Sequence, residues 1–161
     1  MTSPTPSGSS LPDAPLDDTQ AAGLLAALEA EHAAVFAYGV LGAFTNPSRA
    51  DQVAVDSAAH RARRDATIDL LTSLGETVPP PAAGYRLPAE VTDQVPAAQM
   101  AELVETDTAV AWRAAVERAD DAQVRTFAID ALGETAVRLA RWRAALGAEP
   151  ATLPLPGTPD E

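Results

Sequence analysis

The stretch from Glu29 to Gly39 places ionisable side chains in the middle of an apolar helical pattern. Glu31 falls within the leucine, valine and tyrosine stripe of this helix, whereas Glu29 points to the opposite face. His32 lies one step off the stripe, and we interpret it as a residue on the flank of the helix rather than as a metal ligand. A carboxylate in a helical core destabilises the fold unless a cation neutralises it. Glu31 therefore predicts a metal ion or a positively charged side chain nearby.

Matching polar groups occur in the three later helical patterns. His60 and Arg64 share one face of the second pattern, and Glu105 shares a face with several alanines in the third. Arg138 lies near the apolar face of the fourth pattern. Because Glu105 needs a cation for the same reason as Glu31, the four patterns together predict one shared buried site.

Two kinds of site can be built from these residues. In the first, Glu31, His60 and Glu105 bind a metal ion, with iron or manganese as the candidates, and the protein is a metal-dependent oxidoreductase or an iron-handling protein. In the second, Arg64 and Arg138 join them in a buried polar cluster without a cofactor, and the protein is non-enzymatic or of unknown biochemical role. A guanidinium one turn from His60 would repel a dication. We therefore prefer the cluster and keep two alternatives, the metal site and the absence of any shared cluster.

A weak internal repeat indicates that the helical region consists of two related halves. Shifting the chain by 74 residues aligns the first two helical patterns with the last two. Three aligned pairs of polar residues are identical, namely Glu31 with Glu105, Asp56 with Asp130, and Arg64 with Arg138. In the same register Tyr38 aligns with Trp112, and His60 aligns with Glu134. The repeat predicts that the two arginines occupy equivalent positions in a pseudo-twofold bundle.

The composition excludes several classes of function. There is no cysteine, and all 11 basic residues are arginine, so thiolate metal sites and lysine Schiff bases are ruled out. The net charge of -12 argues against nucleic acid or an anionic membrane as a partner. We find no signal-peptide pattern and no run long enough to span a bilayer, and we expect a cytoplasmic protein. The sequence identifies no small-molecule ligand.

Four helical patterns occupy the centre of the chain. They run from about Asp18 to Phe44, from Ser48 to Leu74, from Ala97 to Arg118 and from Ala122 to Leu146. The connection between the second and third contains PPP and YRLP, and it is long enough to cross a bundle from end to end. We predict an all-α, ferritin-like four-helix bundle of two helical hairpins joined by a long crossover, over residues 18–147. Residues 1–17 form a disordered tail, and the Pro-rich residues 148–161 form a disordered or loosely draped tail.

Several segments resemble a known family. EAEHAAVFAYG, AHRARRD, YRLP, LVETDTAVAWR and ARWRAALG are similar to an actinobacterial ferritin-like family catalogued as domain of unknown function 4439. The resemblance covers about residues 18–147. It implies a ferritin-like four-helix bundle and no particular reaction.

Di-iron proteins of the wider ferritin-like superfamily provide a ligand pattern for comparison. They take a Glu from each of two helices and a Glu-x-x-His pair from each of the other two. Glu31 and Glu105 match the two single glutamates. His60 has a serine three residues before it, and Glu134 has a valine three residues after it, so neither pair is complete. The six-ligand set cannot be assembled from this chain.

Two further predictions concern apolar residues. We assign the aromatic residues at helical spacing to the core, namely Phe36, Tyr38, Trp112 and Trp142. A second apolar face on the third helix consists of Met100, Leu103, Val110 and Ala111. This face suggests a helical scaffold covered by a partner or by a second copy of the chain, and we expect a homodimer.

Overall fold

The chain folds as a bundle of four α-helices. The computed structural model describes residues 18–159, and this part of the chain contains no β-strand. The helices are α1 (Asp18–Leu41), α2 (Ala50–Ser73), α3 (Gln94–Arg118) and α4 (Ala122–Ala145), and a 3-10 helix (Pro47–Arg49) precedes α2. The predicted all-α four-helix architecture is confirmed. The predicted tail at residues 1–17 lies outside the described residues.

Local sequence signals explain most of the helix ends. Gly75 and Gly147 adopt positive φ values just after α2 and α4, where glycine carries no steric penalty. The third helix begins at Gln94, three residues before the predicted start. It starts earlier because the side chain of Asp93 accepts a hydrogen bond from the Val95 amide. Pro96 fits within this first turn, where a helical amide has no partner.

The helix order in space follows from a long crossover. Helix α1 packs against α2 and α3, and α3 packs against α4. The beginnings of α2 and α3 lie at the same end of the bundle, since Asn46 Nδ2 donates to Gln94 Oε1 at 2.7 Å. Residues 74–93 must therefore travel the length of the bundle between them. The predicted arrangement of two hairpins joined by a crossover is confirmed.

Aromatic packing holds the crossover against α1. The Tyr85 ring lies 5.7 Å from the Phe36 ring, centroid to centroid, and Leu87 and Val91 pack against the core beside Tyr38. The prediction that Phe36 lies in the core is wrong, because its side chain faces the crossover and is 40% exposed.

Two apolar clusters divide the interior. One contains Leu28, Leu71 and Trp112, and the other contains Leu41 and Trp142. Along α1 the position of Glu31 falls between these clusters. Glu31 and the side chains that bind it therefore have apolar packing on both sides, and this packing keeps water away from them.

Helix α1 is unusually apolar for a helix that carries charged residues. By length and composition alone, Thr19–Leu41 could cross a membrane, which corrects the prediction that no run is long enough. In the structure α1 is the helix that packs against both α2 and α3. Its buried apolar residues, among them Leu24, Leu28 and Leu41, line the core. Glu31 in its middle forms hydrogen bonds to other helices.

The second apolar face predicted on α3 is not one continuous surface. Met100 is buried in the core, and Ala111 packs against the apolar cluster around Leu28. Leu103 is 38% exposed, and Val110 is half-buried. The homodimer stays a prediction.

The Pro-rich C-terminal segment lies along α3 and α4. Arg143 Nε donates to the Ala151 carbonyl at 3.0 Å, and Arg113 Nη1 donates to Thr158 Oγ1 at 3.0 Å. Gly157 has a φ of 75°, and a Cβ atom there would collide with the Ala109 carbonyl of α3. Glycine is needed at this position both for its backbone conformation and for the close approach.

Substituting Gly157 by alanine should detach this segment without unfolding the bundle. The positive φ alone costs about 1–2 kcal/mol for a residue with a Cβ, and the collision adds to it. We expect faster proteolysis within residues 148–159 and an unchanged helical circular-dichroism signal. Gly84→Ala is the matched control, because no atom lies within 4 Å of a Cβ built there. Equal proteolysis rates for the two variants would contradict the assigned contact.

Candidate functional site: a buried ion cluster

A fully buried imidazole joins two fully buried carboxylates at the centre of the bundle. His60 Nδ1 lies 2.7 Å from Glu31 Oε2, and His60 Nε2 lies 3.0 Å from Glu105 Oε1. None of the three side chains has any exposed surface. Since the two ring nitrogens point in different directions, the imidazole sits between the glutamates and bridges α1, α2 and α3.

A guanidinium supplies the second cation of the site. Arg138 Nε donates to Glu105 Oε2 at 3.0 Å, and its Nη2 donates to Thr135 Oγ1 at 3.0 Å. The Arg138 side chain is only 7% exposed. With this contact all four helices contribute to one cluster, which we call the ion cluster: Glu31, His60, Glu105 and Arg138.

Two aromatic side chains complete the hydrogen bonding of the glutamates. Trp112 Nε1 donates to Glu31 Oε1 at 2.7 Å, and the Tyr38 hydroxyl donates to Glu105 Oε1 at 2.6 Å. Tyr38 and Trp112 are aligned by the internal repeat, as are the glutamates. Each aromatic residue thus serves the glutamate of the other half, so this part of the site retains the pseudo-twofold relation.

The pKa shifts follow from burial and mutual pairing. Burial disfavours the imidazolium, but hydrogen bonds to Glu105 and Glu31 outweigh it and raise the pKa of His60 to about 9. Burial would raise the pKa of Glu105, but the bond to His60 and the charges of His60 and Arg138 lower it. At neutral pH the ion cluster therefore contains two carboxylates and two cations, and its net charge is zero.

A further buried carboxylate lies beside the cluster. Trp142 Nε1 donates to both the Tyr38 hydroxyl at 2.9 Å and Asp56 Oδ2 at 3.1 Å. Within residues 18–159, Asp56 Oδ1 has no hydrogen-bond partner. Burial, together with the negative charge of Glu105, raises the pKa of Asp56, and burial raises the pKa of the Tyr38 hydroxyl well above its usual value. Both shifts favour protonated, uncharged groups next to the neutral cluster.

The structure brings together four of the five residues predicted for the cluster and places Arg64 elsewhere. Glu31, His60, Glu105 and Arg138 are in contact, as described above. Arg64 instead pairs at 2.7 Å with its sequence neighbour Asp65, which is 60% exposed. The predicted role of Arg64 in the cluster is therefore corrected.

Charge balance explains why only one arginine is inside. The two carboxylates of the ion cluster require two cations, and His60 and Arg138 already provide them. A third cation from Arg64 would leave the buried layer with a net positive charge, which the low-dielectric interior opposes. The internal repeat also fails at Glu134, which aligns with His60. Glu134 does not enter the core and instead forms an ion pair with Arg63 on the surface.

His32 takes no part in the cluster. It is half-buried on the flank of α1, and its Nε2 atom has no hydrogen-bond partner within the described part of the chain. Burial and the charge of Arg64 lower the pKa of His32, which favours the neutral ring.

The donor arrangement does not fit a metal ion. All four carboxylate oxygens of Glu31 and Glu105 already accept hydrogen bonds, and both ring nitrogens of His60 face carboxylates rather than a common point. A metal ion bound by these three residues would have to break the hydrogen bonds that the carboxylates accept. Their donors are the imidazole of His60, the indole of Trp112, the phenol of Tyr38 and the guanidinium of Arg138. Within residues 18–159 no group of three or more potential ligands is arranged to hold a metal ion.

Sequence reasoning missed the polar roles of Tyr38, Trp112, Trp142 and Asp56. The three aromatic residues were predicted as core, and they are buried. Tyr38 and Trp112 also donate to the glutamates of the cluster, and Trp142 donates to Tyr38 and Asp56 beside it. The alignment of Tyr38 with Trp112, each seven residues after a repeat glutamate, is the signal in the sequence that could have revealed two of them.

The fold and the site define the class of protein, an all-α four-helix bundle with an ion cluster in its core. The chain belongs to the family described as "Domain of unknown function (DUF4439)", which matches residues 23–160, so the predicted family is confirmed. It is also similar to the crystal structure of a conserved hypothetical protein, rv2844, from Mycobacterium tuberculosis. That similarity has 43% sequence identity, covers 86% of this chain and 97% of the other, and has a TM-score of 0.78. A search of curated proteins gives no match.

Proposed function

We propose that this protein is a metal-free, non-catalytic member of the ferritin-like class, in which the ion cluster stands in place of a metal centre. The supporting observation is that side chains of the same chain satisfy every carboxylate oxygen of Glu31 and Glu105. The resemblance to di-iron bundles supports the ferritin-like assignment, since both glutamates lie where such proteins carry single Glu ligands.

The function of the cluster in this proposal is to specify how the helices pack. Each helix contributes at least one member, and a shift of any helix by one turn would leave a buried charge without its partner. Buried polar groups can select one packing arrangement in this way, although apolar residues could give equal or greater stability. The bundle is then a rigid scaffold.

Metal analysis tests the proposal directly. Protein expressed in medium supplemented with iron, manganese and zinc, and purified without chelator, should contain far less than one metal ion per chain. Added Fe²⁺ or Mn²⁺ should not raise the melting temperature, because an ion that does not bind the native state cannot stabilise it. Ferrous ion should be oxidised in air no faster than in buffer alone.

A stoichiometric metal would overturn the proposal if it depends on the cluster. Glu31→Gln and Glu105→Gln should then abolish the metal. Glu134→Gln is the control, because Glu134 pairs with Arg63 on the surface, and its side chain is 56% exposed. Metal that persists in all three variants would be bound elsewhere and would leave the assignment of the cluster intact.

A further inference from the structure

A cleft of 320 Å³ opens between α1 and α2, near the turn that joins them. Gly39 of α1 and Gly42 just after this helix line one side, Val53 of α2 lines the other, and Tyr38 is also among the lining residues. The lining is predominantly apolar. No residue of the ion cluster lines the cleft, but Tyr38, which donates to Glu105, does.

Arg61 lines the cleft and has no acidic partner within residues 18–159. Arg61 is exposed, and its Nη2 atom donates to Ser57 Oγ at 2.9 Å. No carboxylate within residues 18–159 forms an ion pair with it, whereas Arg63 and Arg113 each have a glutamate partner. In a chain with a net charge of -12, acidic partners are abundant. The guanidinium of Arg61 therefore retains most of its capacity to bind an anion.

A buried hydroxyl lies beside this cation. Ser57 is 5% exposed and lines the cleft. The hydroxyls of Thr67, Thr72 and Thr106 each donate to the carbonyl one turn earlier in their own helices. The Ser57 oxygen accepts from Arg61 instead, and within the described part of the chain the Ser57 hydroxyl donates no hydrogen bond. Ser57 thus presents a free donor within reach of whatever Arg61 binds.

We infer that this cleft binds a small organic carboxylate with a short apolar body. The carboxylate would accept hydrogen bonds from Arg61 and Ser57, since a guanidinium matches the planar geometry and two oxygens of that group. The apolar body would lie against Val53 in the space left by Gly39 and Gly42. The volume is at the lower end of the range for small-molecule sites, which suits a chain of about six carbons.

Nuclear magnetic resonance titration tests this inference, with hexanoate as the probe. Hexanoate should shift the amide resonances of Gly39 and Gly42 saturably. Hexylammonium has a comparable chain and the opposite charge, and it should not shift them. Inorganic phosphate supplies an anion without an apolar body, and it should bind at least about tenfold more weakly than hexanoate because the apolar contact is lost.

Two variants separate the roles of charge and space. Arg61→Gln should weaken hexanoate binding about tenfold or more, because it replaces a charge-assisted hydrogen bond by a neutral one. Arg118→Gln is the matched control with the same change in net charge, at the opposite end of the bundle. Gly39→Leu should abolish binding by filling the cleft, and Gly133→Leu, on exposed α4 surface, controls for placing leucine at a helical glycine.

The outcomes that overturn the inference are equally specific. Unchanged affinity in Arg61→Gln, equal binding of hexylammonium, or equal binding of phosphate would each reject an organic carboxylate as the ligand of this cleft. Gly39→Leu should fold, because no atom lies within 4 Å of a Cβ at Gly39 and leucine favours a helix over glycine. If it nevertheless unfolds, Arg61→Gln alone decides the question.

Discussion

Replacing Arg138 with leucine is expected to lower the free energy of unfolding by about 3–5 kcal/mol, the usual cost of removing one partner of a buried ion pair. Arg138 is 7% exposed on its side chain and donates to Glu105 at 3.0 Å. Without it, the two buried glutamates share the single positive charge of His60. Urea unfolding followed by far-ultraviolet circular dichroism measures the loss.

Arg64→Leu is the matched control for this prediction. It makes the same chemical change at the position that the internal repeat aligns with Arg138. Arg64 pairs with Asp65, whose side chain is 60% exposed, and such surface pairs contribute about 0–1 kcal/mol. We therefore expect a change below about 1 kcal/mol. If the two variants lost equal stability, the placement of the second cation would be wrong.

The contrast between these arginines shows what helical periodicity can and cannot predict. Glu31 and Glu105 were predictable because a short carboxylate within an apolar stripe has little choice of direction. An arginine has a long flexible side chain, so its head can leave a core-facing position and reach solvent. How many arginines enter the core depends on the total charge of the site, and that charge is set by all four helices together.

The hydrogen bonds made by the core aromatic residues could not be predicted from helical periodicity either. Spacing places Tyr38 and Trp112 in the interior, but the direction of each O–H or N–H depends on the rotamer and on the rotation of the helix. Each group reaches a glutamate on another helix. Such contacts depend on how α1 and α3 are oriented relative to each other. The periodicity of a single helix carries no information about that orientation.

The order of the helices was more accessible to sequence reasoning. Short connections force neighbouring antiparallel helices, and a connection of about twenty residues between α2 and α3 permits a crossover. The position of Phe36 outside the core could not be predicted, because the crossover that it faces has no regular pattern of its own. Its ring contact with Tyr85 appears only once the bundle positions both segments.

The stability of the protein should fall as the pH rises from about 6.5 to 9, because His60 must be protonated to bridge the two glutamates. The pKa of His60 is raised from 6.5 to about 9 in the folded protein. Its contribution is therefore complete below pH 6.5 and is lost as the pH rises through 9. This shift corresponds to about 3 kcal/mol, measurable by urea unfolding at a series of pH values.

His60→Gln separates this titration from other effects of pH. Glutamine can still hydrogen-bond to the carboxylates, but it cannot carry a charge, so the variant should be less stable at pH 6.5 and should lose little more by pH 9. The other histidine does not mimic the effect, since the pKa of His32 is lowered and its titration lies below this range. The pKa of Tyr38 is raised well above 10, so its titration lies above the range. A variant with the same pH dependence as the parent protein would show that another group is responsible, and that His60 does not hold its proton between Glu31 and Glu105.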